Sequence, residues 1–294
     1  MVQIQTQAQK EGGANPFKMN TPTTWCPGCG NFSILDSINI VLHDLNLKPQ
    51  DVLMVSGIGQ AAKLPHYINA HGLNTLHGRA LPAAMGAHAA NSGLKIFLTS
   101  GDGDTYGEGG NHFIHGVRRN LDIVHLVHDN QIYGLTKGQG SPTTAFGQKT
   151  RLQIDGMRPD PLNPVALAIS LDCSFVARSF SGEPEHLKQM IKAAMEHKGY
   201  ALIDVLQPCV SFNAVNTFKW YKDRVYKLDA SYDPTNRVTA FETALQFGDE
   251  GIPMGILYKH EKATFIERIA HVKEPLVNQK RTPEDVQKLI AQFE

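Results

Sequence analysis

The chain has 294 residues, enough for one large α/β domain with a buried core. Basic and acidic side chains number 28 each, so no net field draws the protein to nucleic acid or anionic lipid. No run is long enough to cross a membrane. The start, Met1 to Glu11, is polar and lacks the apolar stretch of a signal peptide. Four cysteines without the regular spacing of an extracellular framework point to the cytoplasm and to ligands rather than disulfides. Thirteen histidines leave room for charge just below neutral pH.

In chain order, residues 1–24 read as an N-terminal arm. From Asn31 the apolar spacing is helical, with Phe32, Ile34, Leu35, Ile38, Val41, Leu42 and Leu45 on one broad face. Asp51 to Val55 is a short buried strand ending at Ser56-Gly57, followed by a loop. An alanine-rich helix spans Leu81 to Asn91, and Lys95 to Thr99 is the next strand. Gly109 to Arg119 reads as a crossover helix and Leu121 to His128 as the strand after it. Residues 134–162 are rich in Gly, Thr, Gln and Pro and read as a long functional loop. Pro164–Leu171, Ser174–Arg178, Glu185–His197 and Ala201–Leu206 continue the helix and strand alternation. This predicts an α/β fold, a mainly parallel sheet with helices on both faces, over residues 25–212. Residues 213–294 change character, carrying Trp220, Tyr221, Tyr226 and Tyr232 among charges, and predict an extension packed on the core or on a partner. Its last helix begins at Thr282-Pro283, an N-cap followed by proline.

The chemistry concentrates at Gly101-Asp102-Gly103-Asp104 and Asp129-Asn130. Each lies where an apolar strand ends, so a carboxylate and a side-chain amide meet at the tips of neighbouring parallel strands. A hard cation with oxygen ligands fits there and can bridge to a diphosphate. The backbone carbonyl of Ile132 is the natural third ligand. Gly101 and Gly103 let the backbone approach phosphate closely. Asp104 reads equally as support for this site and as a turn former. The pattern resembles the Gly-Asp-Gly and Asn motif that binds magnesium and thiamine diphosphate.

Cys26-Pro27-Gly28-Cys29 is a C-x-x-C just before a helix, and both sulfurs can reach one metal centre. A zinc half-site, a redox dithiol and two free thiols are the alternatives. Cys209, after a strand end, is the natural third sulfur, whereas Cys173 in Leu171-Asp172-Cys173-Ser174-Phe175 reads as a buried thiol.

Together these stretches resemble the beta subunit of a 2-oxoacid:ferredoxin oxidoreductase, most nearly the two-subunit 2-oxoglutarate type. The match runs over about residues 17–260. It is carried by Thr24 to Asn31, Val55-Ser56-Gly57-Ile58-Gly59, His77-Gly78-Arg79, Gly101 to Asp104, Gly110-Asn111-His112, Arg118-Arg119-Asn120, Asp129 to Gln139 and Pro208-Cys209. The resemblance implies the thiamine diphosphate-binding fold, with Mg2+ and an iron–sulfur cluster, most simply 4Fe-4S. It implies a reaction in which a 2-oxoacid, coenzyme A and oxidised ferredoxin give acyl-CoA, carbon dioxide and reduced ferredoxin; its reverse fixes carbon dioxide. It places Ile58, Gly59, Gly134, Leu135 and Thr136 with Gly101 to Asp104, Asn130 and Ile132 at the cofactor. His77 and Arg79 are implied to face it, and Lys63 either meets the substrate carboxylate or is an ordinary surface lysine. An alpha subunit is implied to complete the active site with a glutamate, in a dimer of heterodimers.

One departure matters. Where the family pattern has a third cysteine after Ser-Gly-Ile-Gly, this chain has Gln60. Cys26, Cys29 and Cys209 alone match ligand positions. The options are Gln60 or water as fourth ligand, a three-iron cluster, a rearrangement using Cys173, or no stable cluster. Against the ferredoxin-linked enzyme stand two further readings: a non-redox thiamine enzyme with vestigial cysteines, and a cluster-less regulatory paralogue. Pyruvate or a broad range of 2-oxoacids is the alternative to 2-oxoglutarate.

Overall fold

The computed structural model describes residues 14–270, 272, 274–280 and 282–293; the polar start, Met1 to Glu11, lies outside them. Helix α1 (Asn31–Asp44) leads into strand β1 (Val52–Ser56) and the edge strand β2 (His71–Asn74). Then come α2 (Ala80–Ala90), β3 (Lys95–Gly101), α3 (Gly110–Arg119) and β4 (Ile123–Asp129). A two-residue ribbon, β5 (Ile132–Tyr133) and β6 (Gln139–Gly140), opens the long loop. After it follow α4 (Pro164–Ser170), β7 (Phe175–Phe180), α5 (Pro184–Glu196) and β8 (Tyr200–Leu206). The extension holds α6 (Phe218–Lys222), β9 (Val225–Lys227), α7 (Arg237–Leu245), β10 (Ile252–Lys259) and α8 (Pro283–Ile290).

Among the described residues, eight strands form one sheet in the order β2-β1-β3-β4-β8-β7-β10-β9. The pairings from β2 through to β7 are all parallel, and β10 joins β7 antiparallel. Every residue of β4, β7 and β8 is buried, as parallel strands covered on both faces require. One face packs against α1 and α5 through Ile34, Ile38, Leu42, Leu187 and Ile191, joined by Phe17 from the arm. The other packs against α2, α3, α4 and α7 through Leu81, Phe113, Ile169 and Ala240. Two such faces hold an open sheet, and ligand sites in such sheets lie outside the carboxyl ends of the strands.

Two features depart from the sequence-based expectation. The loop after β1 contains strand β2, whose residues His-Gly-Leu-Asn are all exposed and so show no apolar alternation. The extension supplies β10, which pairs with β7 and is mostly buried, so the main sheet draws strands from beyond residue 212. Pro253 and Gly255 interrupt its apolar run: proline lacks an N–H for the ladder, and Gly255 has φ +143°. At the far end, Thr282 caps α8 with a reciprocal bond to Asp285, as its Thr-Pro start predicts.

Candidate functional site

Four strand ends converge. β1 releases the loop Gly57-Ile58-Gly59-Gln60, β3 delivers Asp102, β4 delivers Asn130, and β8 delivers Gln207 to Cys209. Between the first three lies a cavity of about 70 Å³. Its wall gathers Ile58, Gly59, Gln60, Ala61, His77, Gly101 to Asp104, Asn130 and Ile132 to Thr136. Gly101 to Asp104 do not close a simple turn. The chain runs from β3 into a π-helical turn, Gly103–Glu108, a rare conformation that recurs at functional sites.

Asp102 is 1% exposed. Its Oδ2 lies 2.8 Å from the Thr143 hydroxyl, which also lies 2.7 Å from Asp129 Oδ1. One hydroxyl carries one proton, so it donates to one carboxylate at a time. Burial raises the pKa of Asp102 and pushes Asp129 well above the usual carboxylate range, with Asp204 and Asp102 adding repulsion at Asp129. Tyr106 donates to Asp204 at 2.9 Å, and the buried Arg178 lies on the neighbouring strand in register with Asp204. A cation bound between Asp102 and the Asn130 amide oxygen would offset this crowding of negative charge. That amide oxygen already accepts from the Ile132 N–H at 3.1 Å, which fixes its direction.

Asp104 acts as a clamp. Its Oδ1 is 2.6 Å from His77 Nδ1 and accepts from the N–H groups of Gly78 at 2.8 Å and Ile58 at 3.1 Å. It thus ties the loop after β1 and the His77 loop to the π-helical turn, the supporting role rather than a mere turn former. Gly57 is required beside it, since a Cβ there would lie 2.1 Å from Asp104 Oδ2. Gly103 is required for a reason the motif does not state: a Cβ would lie 2.1 Å from Cε1 of Tyr133.

Arg79 and Lys63 lie off the cavity wall, and Cys173 is the buried thiol that its sequence context predicts. Arg79 is exposed, at the start of α2, and directs Nη1 toward the carbonyls of Gly78 and Glu108 at 3.5 and 3.4 Å, outside the cavity wall. Lys63 donates to the Thr24 hydroxyl at 2.8 Å and does not line the cavity either. Cys173 is fully buried near the start of β7, at the opposite end of the sheet, and burial pushes its thiol up to about 12. A rearrangement that brings Cys173 to the other cysteines therefore does not fit. His77 does line the cavity. Sequence reasoning passed over Thr143 and Asn213, which fastens the Asn130 carbonyl at 3.1 Å, because hydroxyl and amide partners far along the chain carry no local pattern.

A second cavity, of about 40 Å³, is lined by Cys26, Cys29, Cys209, Trp25, Gln207 and Gln60. Gln60, Asn130 and Gly134 line both cavities, so the two share a wall. Burial raises the thiol pKa of Cys29 and of Cys209, and their sulfur neighbours add to it. Gln60 is held by its carbonyl, which accepts from Trp25 Nε1 at 2.8 Å. Its side-chain Oε1 is buried, and no donor among the described residues reaches it.

Comparison with known proteins agrees with this geometry. Residues 54–205 match the thiamine pyrophosphate enzyme C-terminal TPP binding domain, which spans the strands that build the first cavity. The fold and site therefore define a thiamine diphosphate-binding α/β protein. Residues 209–274 match the C-terminal region of the pyruvate ferredoxin oxidoreductase beta chain. The protein is 44% identical over 271 residues to 2-oxoacid:ferredoxin oxidoreductase 1, subunit beta, of Aeropyrum pernix, covering 88% of this chain and 85% of that one. It is 39% identical over 210 residues to 2-oxoglutarate oxidoreductase subunit KorB of Mycobacterium tuberculosis, covering 71% and 56%. A solved 2-oxoglutarate:ferredoxin oxidoreductase from Magnetococcus marinus, with 2-oxoglutarate, coenzyme A and succinyl-CoA bound, superposes with TM-score 0.89 at 33% identity, covering 97% and 98%. The chain belongs to the 2-oxoacid:ferredoxin oxidoreductase family as a beta subunit, and is thus an oxidoreductase subunit that works with an alpha subunit. Among the described residues no helix is long and apolar enough to cross a membrane.

Proposed function

We propose that this subunit, with its alpha partner, oxidatively decarboxylates 2-oxoglutarate with coenzyme A and passes the electrons through an iron–sulfur cluster to ferredoxin, in the cytoplasm and reversibly. The observation that carries the reading is the shared wall: the diphosphate-type cavity and the three-cysteine cavity abut at Gln60, Asn130 and Gly134. With both groups bound, Gln60, Asn130 and Gly134 would separate the carbon chemistry that the thiamine cofactor supplies from the electron acceptor held by the cysteines. The subunits named for 2-oxoglutarate among the relatives, and the M. marinus enzyme with 2-oxoglutarate bound, favour that acid over pyruvate.

Asp102, Asn130 and the Ile132 carbonyl would hold Mg2+, and the donor set fits: one carboxylate and two neutral oxygens leave positions for phosphate oxygens and water. When bound, thiamine diphosphate supplies the carbon nucleophile and electron sink. The chain's own part is placement. Asp104 fixes His77 and the Ile58 N–H beside the cavity, and the Tyr133 ring walls it. Arg79 and Lys63 lie outside this wall and are given no part in holding the cofactor.

Cys26, Cys29, Cys209 and Gln60 would hold the cluster. The orphaned Gln60 Oε1 supports an oxygen ligand to the fourth iron. One thiolate fewer makes the centre less negative and raises its potential. A dimer of heterodimers is the assembly proposed.

The test is anaerobic iron and sulfide analysis of the complex with its alpha subunit, with EPR before and after dithionite. About four irons per chain and a reduced-state signal support the reading. Iron at background would sink the ferredoxin-linked mechanism and leave a thiamine-binding subunit.

A further inference from the structure

Gln207 lines the cysteine cavity and bonds to Asn130, which lines both cavities. Its Nε2 donates to Cys29 Sγ at 3.3 Å and to the Pro208 carbonyl at 3.3 Å. Its Oε1 accepts from Asn130 Nδ2 at 3.4 Å. The residue is 2% exposed, and its backbone N–H is anchored on the Asp129 carbonyl at 2.9 Å. Gly30 makes the approach possible: a Cβ there would lie 2.8 Å from Gln207 Cγ. An amide so confined has one orientation, with nitrogen toward sulfur and oxygen toward Asn130.

We propose that Gln207 is a positioning residue that couples the two sites: the chain Asn130–Gln207–Cys29 sets the reduction potential of the cluster and makes it respond to occupancy of the magnesium and diphosphate site. The inference rests on the cluster reading above. An N–H donor to a ligand sulfur stabilises the more negative, reduced cluster and so raises its potential. A cation on the Asn130 amide oxygen polarises that amide, strengthens its donation to Gln207 Oε1, and thereby makes Gln207 Nε2 the better donor to Cys29, because linked hydrogen bonds reinforce one another. Magnesium with thiamine diphosphate should therefore make the cluster easier to reduce. By linkage, reduction of the cluster tightens the cofactor.

The experiment is mediator titration followed by EPR on the alpha–beta complex, with and without magnesium and thiamine diphosphate, for wild type, Gln207→Met and Gln207→Glu. Both substitutions keep the length and remove the donor to Cys29; glutamate keeps an acceptor for Asn130. Both variants should titrate lower than wild type. The scale of one lost charge-assisted bond is about a tenfold change in the oxidised-to-reduced ratio, about 59 mV for one electron. The cofactor-induced rise seen in wild type should shrink in both. Wild-type potentials in iron-loaded variants, or an undiminished cofactor response, overturn the coupling. So does loss of iron in both variants, which would make Gln207 a structural residue only. Absence of iron from wild type itself is the separate failure of the cluster reading.

Discussion

Replacing Gly103 with alanine tests whether Tyr133 is the wall that shapes the cofactor cavity. The new Cβ would lie 2.1, 2.6 and 2.7 Å from Cε1, Cδ1 and Cζ of that ring. Ordinary carbon contacts sit at about 3.5–4.0 Å, so the ring must retreat by more than about 1 Å. The ring is not free to do so in place. Its hydroxyl donates to the Gly103 carbonyl at 3.3 Å, and a Cβ built at Gly107 would lie 2.4 Å from that hydroxyl oxygen, so the turn hugs the ring on two sides. Overpacking of this kind costs about 1–3 kcal/mol. If about 2 kcal/mol of it falls on the bound state, affinity for thiamine diphosphate with magnesium drops about 30-fold. Calorimetric titration of the alpha–beta complex reads this directly. Gly103→Ala combined with Tyr133→Ala should lose much less than the sum of the singles, because the clashing ring is gone. Affinity within twofold of wild type for Gly103→Ala, or strict additivity in the double variant, would refute the reasoning.

Gln60→Cys supplies a fourth thiolate at the shared wall; the cluster should survive air longer and titrate at a lower potential, and an unchanged potential would show that position 60 does not reach the iron. Thr143→Val keeps the volume but removes the hydroxyl between Asp102 and Asp129. The metal-free protein should lose about 1–3 kcal/mol in urea titration, and a loss below about 0.5 kcal/mol would mean that the two carboxylates do not depend on it. His125 is buried, bonded to Ser100 and Tyr200, and held down to about 3, against 6.5 for the free side chain. Its folded pKa is depressed, so the unfolded chain binds the extra proton; stability is full above about 6.5 and declines as pH falls toward 3. Between pH 7 and 5 this one residue should cost about 2 kcal/mol, and His125→Asn should flatten that slope in urea titrations at the two pH values. Equal slopes for the two proteins would count against a neutral buried His125.

Several elements of the molecule are written locally. The helix from Asn31, the buried strands and the alternation around them follow from apolar periodicity, because each element must bury a face and the period names the element. The residues expected at the cofactor, from Ile58 and Gly59 through Gly101 to Asp104 to Asn130 and Thr136, line one cavity, since each follows a strand whose end is readable from the chain. Other features needed the tertiary structure. β2 and β10 form by pairing with strands already in place, so an exposed polar edge and a run broken by Pro253 become strands through partners distant in sequence. Arg79 and Lys63 sit in motifs beside the site, yet side-chain direction is set by packing, and their neighbours are the Gly78 carbonyl and Thr24. Cys26, Cys29 and Cys209 are legible as sulfurs and the family pattern sets Gln60 beside them, but the burial of its unpartnered oxygen and the amide of Gln207 against Cys29 are not legible. The sequence by itself determined which chemistry-bearing residues end which strands; the order of strands in the sheet decided which of those ends meet, because contacts across a sheet depend on neighbours in space that the chain reaches only after crossing a helix layer.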